Sequence, residues 1–91
     1  MSPLEQIAVV LCSALADVWT LEFPTACRLV EALEDPGLRN FDAVRARLKE
    51  FCSYVGCDPG EVLVAYLGAR FMYAAQQGET WVPTWRVRRC G

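Results

Sequence analysis

The chain has 91 residues, of which 54% are hydrophobic. Nine Lys+Arg stand against eleven Asp+Glu, for a formal net charge of -2, and there is no histidine. This length suits one domain with a modest core, and the apolar share excludes disorder, which requires low hydrophobicity and high charge. A slightly acidic chain lacks the whole-protein basic footprint of a nucleic-acid binder. A chain without histidine also lacks the commonest general base and the commonest neutral metal ligand.

The first element starts at Ser2-Pro3-Leu4-Glu5. Ser2 is placed to cap, Pro3 fits the first helical position, and Glu5 can reach back to the Ser2 amide, which makes a capping box. The helix is expected over about 3–20. Its stripe is Leu4, Ile7, Leu11, Leu15 and Val18, at helical spacing. Val9, Val10, Ala14 and Ala16 make the opposite side apolar too.

A second helix is expected over 25–34, opened by Pro24 and Thr25 and ended by Asp35-Pro36-Gly37, because Pro36 cannot continue the ladder. Ala26, Leu29, Val30 and Leu33 form its inner face, and Arg28, Glu31 and Glu34 its wet face. Asn40 is a good N-cap for a third helix over 41–55. Phe41, Val44, Leu48, Phe51 and Val55 follow at spacings of three and four, and Gly56 is the expected left-handed stop. Asp58-Pro59-Gly60-Glu61 repeats the starting signal of the first helix and opens a fourth over 59–77, with Gly78 as its stop. Arg70 is the only charge between Val62 and Ala75. A helix apolar all round is expected at the centre, buried on every side. Its strip of Ala65, Gly68 and Ala69 allows close approach of a neighbour. The division is a helical domain over 1–78 and an extended Trp/Arg tail over 79–91, where Pro83 blocks a helix or a central strand.

Two stretches of grease set the central question. Helices 1 and 4 both require cover on nearly every side, and four short helices cannot hide both. The tail, a second copy or a partner must cover the remainder.

Four further constellations bear on function. The third helix, the Gly56-Cys57-Asp58 turn and the fourth helix resemble a generic helix-turn-helix. Phe51, Cys52, Val55, Gly56, Cys57 and Val62 occupy its usual apolar and glycine positions. The reading positions would be Asp58, Pro59, Gly60, Leu63 and Val64. None of these grips a base edge, and Asp58 and Glu61 repel phosphate, so the corner reads as packing.

The tail places Trp81, Pro83, Trp85 and Val87 on one face of an extended segment and Arg86 and Arg88 on the other, with Arg89 beside them. Trp and Arg are enriched at binding hot spots. They read as a docking strip for an acidic partner surface or a nucleic-acid backbone, or as a strap over the protein's own helices, which the small core favours; the two can coexist.

The five cysteines, Cys12, Cys27, Cys52, Cys57 and Cys90, show no pair of tight zinc-type spacings, so no metal is expected. They read as small core residues, reduced in a cytoplasm, because Met1–Glu5 has no basic leader region. A Cys52–Cys57 disulfide is open to them but disfavoured in a reducing compartment. No nucleophile elbow, phosphate loop or Cys–His pairing is present, so no catalysis, cofactor or small-molecule substrate is expected. No segment reaches the roughly 20 apolar residues of a membrane span.

The expected fold is therefore all-α: a compact four-helix domain with a helix-turn-helix-like corner and an extended C-terminal tail. The expected function is non-catalytic binding of another protein or of a second copy, as a homodimer. An adaptor, an assembly subunit or a compact inhibitor fits, the last by likeness in size to those of phages and mobile elements. Trp81, Trp85, Arg86, Arg88 and Arg89 are the first candidates for contact, followed by Tyr66 and Tyr73 on the fourth helix. The alternative is a helix-turn-helix-type nucleic-acid-binding regulator using the basic tail.

Overall fold

The computed structural model describes residues 1–17, 20–83 and 85. Four helices follow one another in the chain: α1 (Pro3–Leu15), α2 (Phe23–Leu33), α3 (Phe41–Val55) and α4 (Pro59–Gln76). No strand forms among the described residues. The radius of gyration is 12.9 Å, close to the ~12 Å expected of a folded chain of this length.

Local chemistry sets most of the helix ends. Ser2 Oγ accepts from the Glu5 amide at 3.3 Å while Glu5 Oε1 accepts from the Ser2 amide at 3.0 Å, completing the capping box. Hydrogen bonding from Ser2, its backbone amide first, holds the Glu5 carboxyl below its ordinary pKa. Asn40 caps α3 through the Ala43 amide at 2.9 Å, and Asp58 caps α4 through the Glu61 amide at 3.0 Å. Gly56 ends α3 in the left-handed region at φ 79°, where a side chain would be strained.

Two boundaries differ from expectation by more than one residue. α1 stops at Leu15 instead of reaching residue 20, and α2 begins at Phe23, two residues early. Between them Leu21 is buried. Burying it requires the chain to turn back towards the core before α2 starts. Glu22 occupies the N-cap of α2 without a side-chain cap bond, and Pro24 lies in the first turn, where its missing N–H costs nothing. Val18, a member of the expected α1 stripe, lies outside the described residues.

The helices form a ring. α1 packs against α2 and α4, and α3 packs against α2 and α4. Their inner faces meet in one core of Ile7, Ala8, Leu11 and Leu15; Ala26, Leu29, Val30 and Leu33; Val44, Leu48 and Cys52; and Val62, Tyr66 and Ala69. Leu21 and Leu38 enter from loops and Trp85 from the C-terminal segment. Arg47 on α3 secures the end of α2: Nη1 donates to the Ala32 carbonyl at 3.1 Å, and Nη2 lies 3.5 Å from Asp35 Oδ2.

α4 is not the wholly buried centre that its apolar sequence suggests. In a ring every helix has two principal neighbours and keeps an outer face. On α4 that face carries Val64, Phe71 and Met72, which are 71%, 51% and 54% exposed. No helix among the described residues is long and apolar enough to cross a membrane.

Candidate functional site

The candidate contact residues divide by burial. Tyr66 is a core residue, 0% exposed, and not a surface contact. The helical period turns it inward with Val62 and Ala69, and its hydroxyl donates to Glu34 Oε2 at the end of α2. Tyr73 is half-buried and packs against the core. Trp81 is half-buried too: its ring meets Tyr66 edge-on at 6.0 Å and Phe71 at 5.2 Å. Trp85 is buried, with its ring 6.3 Å from that of Phe41 on α3. Both tryptophans thus lie on the protein's own helices, as a strap would place them. Arg86, Arg88 and Arg89 lie outside the described residues.

Below the Trp81 strap lies a polar cluster that the chain order conceals. Arg70 lies at 3.1 Å from Glu34 Oε1 and stacks its guanidinium 4.9 Å from the Trp81 ring centre. Glu34 is therefore not part of the wet face of α2; it serves Tyr66 and Arg70 together. Burial raises its carboxyl pKa, against which the Arg70 charge and hydrogen bond act in the opposite sense. The cluster neutralises the one charge in the middle of α4. Its members come from α2, α4 and the tail, so no short motif announces it. The one available signal is that a lone Arg in an apolar helix requires an acid from elsewhere.

The second feature is an apolar groove between α1 and α4, with a volume of about 700 Å³. Val10, Ala14 and Leu15 form one wall, and Val64, Ala65, Gly68, Ala69 and Met72 the other. The small strip on α4 makes the floor: a Cβ built at Gly68 meets nothing within 4 Å. Asp58 and Glu61 are the ionisable groups lining the groove, and both are exposed. The groove is thus apolar along its length and acidic at the end nearest the start of α4. Its residues were legible as surplus apolar surface, but the groove itself needs two helices and was not.

The thiols Cys12, Cys27 and Cys57 are half-buried and Cys52 is buried. Among the described residues no three metal-ligating side chains converge. Comparison with protein families, characterised proteins and solved structures finds no match to this chain.

Proposed function

We propose that this protein is a non-catalytic binding module that receives a helix of another protein in the α1–α4 groove. The observation that carries this reading is the exposed apolar run of Val64, Phe71 and Met72 beside an open groove floored by Gly68. Small folded domains rarely leave large contiguous apolar surface uncovered, and such surface marks association. A groove lined by apolar residues suits the apolar stripe of an amphipathic helix.

Charge favours one kind of occupant. The acidic groups Asp58 and Glu61 stand at one end with no lining cation beside them among the described residues. The reading therefore commits to a partner helix with an apolar stripe and Lys or Arg at the end that meets Asp58 and Glu61. Complementary charge of this type fixes orientation and speeds encounter more than it adds affinity. The inward placement of both tryptophans favours this groove over the tail as the contact surface. Adaptor, assembly and inhibitor roles are all compatible with it.

The test is paired capture from the native host, with the protein and its Gly68→Gln variant as baits. Gly68→Gln fills the groove from an exposed position and leaves the core untouched. The reading expects a partner held by the natural chain and lost from the variant, and cross-links from Val64 and Met72 positions to a basic-ended helix. Equal capture by both baits overturns it. So does a dimer of this chain across the groove, or nucleic acid as the captured species. Replacing Arg86, Arg88 and Arg89 with alanine separates the last outcome, because phosphate contact would be lost with them.

A further inference from the structure

Residues 52 and 57 are held together by the turn that ends α3. The Gly56 amide donates to the Cys52 carbonyl at 2.7 Å, and the Cys57 amide donates to the same carbonyl at 3.3 Å. This is the glycine-ended helix stop in which the residue after the glycine folds back over the last helical turn and the two side chains meet. Here both side chains are thiols. The two thiols are close enough to be felt electrostatically: Cys57, after burial, raises the Cys52 pKa. Cys52 is 4% exposed and sits in the core, whereas Cys57 is half-buried and packs against that core from the turn. A disulfide demands close, facing β-carbons, and two residues tied through one carbonyl, with both side chains on the same core, are placed for it.

We propose that Cys52 and Cys57 form a reversible disulfide clip across the α3–α4 turn. The oxidant is a low-molecular-weight disulfide such as oxidised glutathione. The Cys57 thiol loses its proton, and its sulfur attacks one sulfur of glutathione disulfide. That S–S bond breaks, one glutathione leaves as thiolate, and a mixed disulfide forms on Cys57. The Cys52 thiol then loses its proton and attacks the Cys57 sulfur, and the second glutathione leaves. Two protein thiols are oxidised and one glutathione disulfide is reduced to two thiols.

Cys57 is the entry point because it is the more accessible of the two. Burial raises the Cys52 pKa, so the second step is slow and quickens as pH rises, since the thiolate is the attacking form. The clip lies beside Asp58, which caps α4 and lines the acidic end of the groove. It does not depend on the docking role of that groove.

Digestion after Lys and Arg reads the outcome directly, because Cys52 and Cys57 fall in the single peptide Glu50–Arg70 while Cys12 and Cys27 share Met1–Arg28. The full chain is equilibrated with graded ratios of reduced to oxidised glutathione, quenched in acid, alkylated and digested. The expected result is a glutathione adduct on Cys57 that appears first. It gives way to an unalkylated Glu50–Arg70 peptide lacking two hydrogens, and dithiothreitol reverses the change. The same loss is expected in a Cys12→Ala, Cys27→Ala, Cys90→Ala variant. Alkylation of both cysteines at every ratio overturns the proposal. A Cys57 adduct that never resolves overturns it too, as does oxidation confined to Met1–Arg28.

Discussion

Tyr66, Glu34 and Arg70 show how a single buried hydroxyl organises its surroundings. Tyr66 brings a large ring into the core and must find an acceptor for its hydroxyl; Glu34, 32 residues earlier, supplies it. Tyr66→Phe keeps the ring and deletes that donor, leaving a partly desolvated carboxylate with one fewer partner. The expected loss is about 1–3 kcal/mol, read from urea unfolding at neutral pH. Glu34 also imposes a pH dependence of known sign. Its folded pKa is raised, so the fold binds its proton more readily than the unfolded chain does. The resulting stability is fully present below the ordinary carboxyl pKa and falls as pH rises through the raised one. Glu34→Gln removes this titration. The stability of the natural chain minus that of the variant should therefore decline between acid and neutral pH, and a flat or rising difference would contradict the burial-driven shift.

Among the elements, α4 is the one whose sequence and setting disagree. Its apolar residues surround the helix, yet only Val62, Tyr66, Ala69 and Ala74 are buried. The outward Gly68 has no packing role, since nothing lies within 4 Å of a Cβ placed there. Gly in a helix interior costs up to ~1 kcal/mol relative to Ala. Gly68→Ala should therefore stabilise the protein by up to about 1 kcal/mol in urea unfolding; a destabilised variant would mean that the position is occupied. At α1 and α3 the side-chain caps carry the local energy. Ser2→Ala and Asn40→Ala should each cost about 1 kcal/mol by the same measurement.

The whole molecule is a ring of four helices closed by a C-terminal strap. Trp85 enters the shared core and Trp81 covers the Tyr66–Glu34–Arg70 cluster. Trp85→Ala removes a large buried ring and should lower stability by about 3–5 kcal/mol, a shift that thermal melting will show. A chain ending at Gly78 loses both rings and should unfold at lower denaturant than the full chain. Equal stability of the two would show that the tryptophans contribute no cover.

Local signals in the chain were enough for the all-α class, four helices in order, and most of their ends. Caps and stops act over three to five residues, so Ser2, Asn40, Asp58 and Gly56 carry their meaning in the local chain. The inner face of α2 was legible for the same reason: one helical period sorts Ala26, Leu29, Val30 and Leu33 from their polar neighbours. Tertiary structure alone decided which side of α4 is dry, because a helix apolar all round has no pattern to orient it. It also moved Glu34 from solvent to the Tyr66–Arg70 cluster and drew Trp81 and Trp85 inward, through contacts between residues distant in the chain. The 54% apolar content is thereby resolved into a core shared by four helices, a strap, and an open groove between α1 and α4.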